Sequence, residues 1–201
     1  MTINTTDKPQ IAGILLAAGN SSRMGEPKAL LDYKGSTFID TILNHLQQSG
    51  CDPVMSILGN AGDMICKCTN VNQYECHSNP SPDKGMLSSL KVAIEKLPQS
   101  CDGFILALVD HPAVKESTYS EMIQTARQNP DRIIIPKFFG SNGHPVFFGR
   151  RFFNDLMKTP EDEGARLVVH QQMHNVHYLD VEDEGILYDI DTPEELNKWT
   201  N

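Results

Sequence analysis

Apolar positions along the chain keep two rhythms in alternation. Residues 14–18 form an unbroken apolar run ahead of a glycine, which reads as a strand buried on both faces. Phe38, Ile39, Ile42, Leu43 and Leu46 then recur at helical spacing, with Ser36 as the predicted N-cap and Gly50 as the stop. Residues 53–58 predict a second strand and 71–76 a third. Met86, Leu87, Leu90, Ala93 and Leu97 fit the inner face of a helix, and 104–109 is a continuous buried strand. Tyr119, Met122, Ile123 and Ala126 mark another helix, and Ile133, Ile134 and Ile135 another strand. Strand and helix in alternation predict an α/β protein: a single-domain, doubly wound, mostly parallel sheet with helices on both faces. Its crossovers are right-handed, and its ligands bind beyond the carboxyl ends of the strands.

Composition narrows this little. The chain has 201 residues, enough for one domain with a sizeable core. A net charge of -9 argues against a broad nucleic-acid surface. It leaves room for an anionic small substrate, because a few cations and a metal invert the field inside one cleft. No apolar stretch reaches membrane-spanning length, and residues 1–10 are polar, without a signal-peptide core. They are expected to be a flexible lead-in, and the location to be cytoplasmic. Five cysteines, an odd number, argue against a disulfide framework. Cys66, Cys68, Cys76 and His77 lack the usual zinc spacing, so reduced thiols are the better reading.

The informative stretch is Leu16-Ala-Ala-Gly-Asn-Ser-Ser-Arg-Met-Gly-Glu-Pro-Lys28, directly after the first strand. Glycines let backbone amides approach an anion, and successive amides make an anion-binding concavity. Arg23 and Lys28 add two cations, so the loop reads as a site for a polyphosphate, most simply a nucleoside triphosphate. Two commoner phosphate loops fail. A Walker loop has four residues between its glycines, whereas Gly19 and Gly25 enclose five. A dinucleotide fingerprint needs glycine at position 21, which is Ser.

Five further places carry candidate chemistry. Asp110 ends the run at 104–109, where a carboxylate points into the ligand crevice and suits Mg²⁺; a helix cap or turn is the plain alternative. Asp189 and Asp191 alternate, so on an extended segment both face the same way and one is placed to meet Asp110. Asp191 or Thr192 also suits the cap of a helix beginning at Pro193. Asn79, Gly85, Ser88 and Ser89 lie on a turn and helix start, suited either to a base or ribose or to ordinary capping. His144, in Gly-His-Pro, is either structural or a contact to an anionic substrate; Arg166 either grips a phosphate or pairs with a carboxylate.

Leu-Ala-Ala-Gly-x-Ser-x-Arg-Met-Gly-x-Pro-Lys resembles the signature of the MobA/MocA-like nucleotidyltransferases. Leu-x-Asp-x-Pro at 108–112, Asn-Pro-x4-Gly-Met-x-Ser-Ser-Leu at 79–90, Gly-His-Pro at 143–145 and Asp-x-Gly-Ala-Arg at 162–166 resemble the molybdenum cofactor cytidylyltransferase branch. The resemblance implies a nucleotide-diphospho-sugar transferase-like fold and transfer of CMP from CTP to molybdenum cofactor. Catalysis falls to Arg23, Lys28 and Asp110. Leu16, Ala17, Ala18, Gly19, Arg23, Lys28, Asn79, Gly85 and Ser88 bind the nucleotide, and Asp110 with Asp191 holds Mg²⁺. Residues 140–192 carry the acceptor side, with His144 and Arg166 binding the acceptor. Ser141 and Asn142 stand where many relatives have basic residues. Transient contact with a molybdenum hydroxylase is implied, and no nucleic-acid or membrane partner. Two other classes stay open, an NAD(P)H-dependent oxidoreductase and a non-catalytic molybdenum cofactor carrier.

Overall fold

The computed structural model describes residues 8–19 and 26–200. The elements follow in chain order: β1 (Ile11–Ala17), β2 (Asp32–Tyr33), β3 (Ser36–Thr37), α1 (Phe38–Gln48), β4 (Val54–Leu58), α2 (Gly62–Cys68), β5 (Glu75–Ser78) and α3 (Met86–Lys96). Then come β6 (Gly103–Leu108), α4 (Glu116–Gln128), β7 (Ile133–Phe138), β8 (Ser141–Asn142), β9 (Val146–Gly149), α5 (Phe153–Lys158), α6 (Gly164–Gln171), β10 (Val176–Asp180) and α7 (Pro193–Thr200). The main sheet runs β10-β7-β9-β6-β1-β4-β5, with β8 paired to β7. β1 pairs in parallel with β4 and β6, β4 with β5, and β7 with β10. β9 is antiparallel to both β6 and β7. The predicted single-domain, mostly parallel α/β architecture is the observed one.

β1 is buried along its whole length because both its faces are covered. Ile11, Leu15 and Ala17 enter one core with Ile39, Leu43 and Leu46 of α1 and Met122 and Ala126 of α4. Ala12, Ile14 and Leu16 enter the opposite core with Leu87 and Leu90 of α3, Leu156 of α5 and Val168 of α6. The alternation is that of any strand, and here it sorts residues between two helical layers.

Four local expectations need correction. The N-cap of α1 is Thr37, whose hydroxyl accepts from the Asp40 amide at 3.2 Å. Ser36 belongs to a small antiparallel hairpin, β2 with β3, that turns at Lys34 and Gly35, both at positive φ. The third strand is Glu75–Ser78, because residues 71–73 coil into a single 3-10 turn first. β1 begins three residues before the predicted run and ends at Ala17, leaving Ala18 in the loop. Met86 is 54% exposed, so the apolar face of α3 begins at Leu87. After Gly140, β9 and β10 both belong to the main sheet. No described helix is long and apolar enough to cross a membrane.

Candidate active site

β1 and β6 lie side by side in register, Leu16 beside Leu108, so the loops after them leave the sheet together. The Val109 amide donates to the Leu16 carbonyl at 3.1 Å and carries the pairing one step further. Gly59, just beyond β4, lets a neighbouring loop close on the first one. A Cβ there would stand 2.4 Å from the Ala18 carbonyl oxygen, so only glycine fits. Asp110 follows Val109 at this crowded edge. Its backbone carbonyl accepts from the Ile190 amide at 2.7 Å, which pins the segment ahead of α7 beside it.

That segment decides between the two C-terminal aspartates. Thr192 and Glu195 cap α7 reciprocally: Glu195 accepts from the amides of Asp191 and Thr192 at 2.8 and 2.9 Å, and the Thr192 hydroxyl accepts from the Glu195 amide at 3.3 Å. The cap therefore does not use the Asp191 carboxylate, which accepts a hydrogen bond from Lys28 Nζ. The same ammonium lies 3.5 Å from Asp110 Oδ2. Lys28 reaches this point from a single 3-10 turn, Lys28–Leu30, launched by Pro27. Asp189 is exposed. Three predicted residues from three distant segments, Lys28, Asp110 and Asp191, thus meet at one point. Arg23 lies outside the described residues.

Sequence reasoning passed over His111. Its Nδ1 stands 2.9 Å from Asp110 Oδ1, which leaves Oδ2 toward Lys28. Burial pushes the Asp110 carboxyl up, but the hydrogen bond and charge of His111, with the Lys28 charge, outweigh it and hold the carboxyl below its ordinary range. His111 in turn meets His144 edge-on, ring centroids 5.1 Å apart. Burial first, and the His111 charge second, push His144 from its ordinary 6.5 down to about 4, so it is neutral near pH 7. Its Nδ1 is buried with no hydrogen-bond partner among the described residues. Gly143 makes the approach of this segment possible: a Cβ there would stand 2.3 Å from the Ile186 carbonyl, which accepts from the His144 amide at 2.9 Å. The one signal for His111 in the sequence was its place directly after Asp110.

Two cavities flank this cluster. The smaller, about 220 Å³, is walled by Leu16, Ala18, Gly19, Lys28, Gly85, Ser89 and Asp110. Of the remaining predicted nucleotide residues, Ala17 faces the core on the far side of the sheet. Asn79 and Ser88 are buried beneath the cavity wall. Asn79 Nδ2 donates to the hydroxyls of Ser88 and Ser89 at 2.8 and 2.9 Å, and Asn79 Oδ1 accepts from the Ser81 amide. Ser88 donates to the Gly85 carbonyl at 2.7 Å. These contacts brace the loop at 79–85 against α3, and Ser89 rather than Ser88 reaches the wall. The larger cavity, about 560 Å³, brings His144 and Arg166 together with Glu163 and Asn142. Its remaining surface is apolar, from Leu87, Leu90, Leu106, Ile135, Val146, Phe148 and Val169. Met86 lines both cavities. Two further cavities of about 570 and 580 Å³ hold none of the predicted site residues.

The family model described as "MobA-like NTP transferase domain" matches residues 13–176. The chain belongs to this family. Among curated MobA-like relatives, the nicotine blue oxidoreductase of Paenarthrobacter nicotinovorans is 30% identical over 200 residues, covering 95% of this chain and 97% of its own length. The molybdenum cofactor cytidylyltransferase of Escherichia coli K12 is 26% identical over 184 residues, covering 91% and 92%. Among solved structures, Rv0371c of Mycobacterium tuberculosis H37Rv superposes with a TM-score of 0.86 at 29% identity, covering 97% of this chain and 99% of that one. A second structure of Rv0371c is a complex with manganese. As a member of the MobA-like family the chain is a nucleotidyltransferase, and the expected family and fold are those found.

Proposed function

We propose that the protein transfers CMP from CTP to a phosphate-terminated acceptor, most simply molybdenum cofactor, with release of pyrophosphate. One observation carries this reading: two cavities meet at Met86, the smaller one holding Lys28 and Asp110 of the cluster with Asp191, the larger one an apolar wall with Arg166. In the reaction an oxygen of the acceptor phosphate attacks the α-phosphorus, a new P–O bond forms, and the bond to the β-phosphate breaks. No side-chain nucleophile is needed, so catalysis is alignment and stabilisation of charge. The nucleotide lies over Leu16, Ala18 and Gly19, with Lys28 and Arg23 on its phosphates. Asn79 and Ser88 set the height of the loop beneath it, and Gly85 and Ser89 face it.

A divalent ion fits the residues present. Two carboxylates converge on one cationic centre, and hard oxygen donors suit Mg²⁺ or Mn²⁺. Asp110 and Asp191 would hold it. When bound, such an ion neutralises charge on the phosphate oxygens. His111 keeps one oxygen of Asp110 engaged and so aims the other.

On the acceptor side, Arg166 supplies the cation for a terminal phosphate, and the apolar wall takes a planar ring system. His144, neutral near pH 7, lines this cavity without adding charge to it. The cavity is sparingly charged, consistent with Ser141 and Asn142 in place of basic residues. The same feature, with 30% identity to an oxidoreductase acting in nicotine blue chemistry by its name, favours a second reading: reduction of a neutral heterocycle by NAD(P)H. Pyrophosphate release is measured with each NTP, with and without purified molybdenum cofactor, beside NADPH oxidation with heterocyclic acceptors. Release with CTP that depends on the cofactor supports the transferase. No release under any pairing refutes it, and NADPH turnover establishes the second reading.

A further inference from the structure

Lys28 performs two tasks that one ammonium cannot perform at once. It bridges Asp110 and Asp191, which places a positive charge between two carboxylates that would otherwise repel each other. It also forms part of the wall of the charged cavity, where the phosphates of a nucleotide need it. A divalent ion held by the two aspartates has to stand where the ammonium now stands.

We infer that Lys28 has two stations. In the nucleotide-free protein its ammonium is the resident counter-cation of Asp110 and Asp191, and arrival of metal and nucleotide displaces it onto the phosphates. This rests on the reading that these aspartates hold the metal. The side chain suits the task, being a compact charge on a flexible four-carbon stem, whereas a guanidinium would be fixed by its planar fork. Lys28 also starts a turn only three residues long, next to the loop that follows β1, so its stem can redirect without disturbing a long element. His111 holds Oδ1 of Asp110 throughout, so the exchange concerns Oδ2 of Asp110 and the Asp191 carboxylate.

Two consequences separate this arrangement from a lysine that only adds positive field. Metal alone binds weakly, because it competes with a tethered cation. Metal and nucleotide bind with positive coupling, because the displaced ammonium finds new oxygens when phosphates are present.

The test uses the full chain without turnover. Mn²⁺ binding is titrated by electron paramagnetic resonance in the wild type, Lys28→Met and Asp110→Asn. Lys28→Met is expected to bind Mn²⁺ at least about tenfold more tightly in the absence of nucleotide, although its turnover is lost. In parallel, labelling of Lys28 in the wild type by an amine-specific reagent, read by mass spectrometry, is expected to accelerate several-fold with saturating Mn²⁺. Equal or weaker Mn²⁺ binding by Lys28→Met overturns the two stations. Tighter binding with unchanged labelling also overturns them, since removal of field alone then accounts for the gain. If Lys28→Met does not fold, the labelling of the wild type decides by itself. Asp110→Asn separates the premise from the inference: Mn²⁺ binding undiminished in that variant removes Asp110 as a metal ligand, whereas pyrophosphate release tests the transferase reading independently.

Discussion

The two cavities differ in how the chain builds them. The smaller one sits at the ends of the neighbouring parallel strands β1 and β6, and its two charged side chains lie beyond those ends. Lys28 and Asp110 follow β1 and β6, which pair in register, and their charges stand 3.5 Å apart. The apolar one is framed by a strand that runs the other way, β9, and by α6, a helix on one face of the sheet. The first cavity holds Lys28 and Asp110, whose charges belong to one ion cluster, and the second holds Glu163 and Arg166 within a larger apolar wall. Charge tolerates few substitutions, because each ion is positioned against a partner. Shape is shared among many side chains, and one alone weighs less.

That contrast orders the expected effects. Asp110→Asn removes a carboxylate from the charged cavity and should cost about 4 kcal/mol or more, roughly a thousandfold in metal-dependent kcat. Turnover retained at saturating metal would break the contrast at its strongest point. Lys28→Ala should cost about 2–4 kcal/mol of transition-state stabilisation, read as kcat/KM for the nucleotide.

His144 marks the boundary between the cavities, and its effect is one of pH. Its folded value, about 4, lies below the unfolded 6.5, so the unfolded chain binds the extra proton in between. The stabilisation from keeping it neutral is complete above 6.5 and is lost as the pH falls toward 4, by about 3 kcal/mol at most. Denaturant titrations of His144→Gln should show a flatter slope over that window. An unchanged slope would assign the pH dependence elsewhere. Arg166→Gln should have the smallest effect, about 1.5–3 kcal/mol, confined to the KM of the acceptor substrate. A matching rise in the KM of the nucleotide would mean that the cavities are not separate in function.

The charged cavity was the more legible of the two for a physical reason. An unbroken apolar run predicts a buried strand, and a glycine-rich loop with two cations after it predicts an anion site, all within 18 residues. Asp110 was found in the same way. Alternation singled out Asp189 and Asp191 together, and the resemblance favoured Asp191. The apolar cavity has no such contiguous signal. His144 and Arg166 entered through motif resemblance, and nothing in the run 146–149 says that this strand is reversed. Apolar patterning encodes burial, and direction comes from where the chain has to return. Helical spacing likewise could not show that Met86, on the first turn of α3, is exposed and lines both cavities. Adjacent Ser88 and Ser89 are equivalent by residue type, and only the turn of the helix assigns one to the brace and the other to the wall.

Strand β9 has a mechanical corollary. Among the described residues, β7 and β10 join the rest of the main sheet through β9 alone, by the pairs Ile133–Phe148 and Ile134–Phe147. Backbone amide exchange should therefore find the far edge opening as a cooperative block, hinged along 146–149, at a lower free energy than the strands around β1. The edge beside the larger cavity is then the part free to breathe while the sheet around Asp110 stays shut.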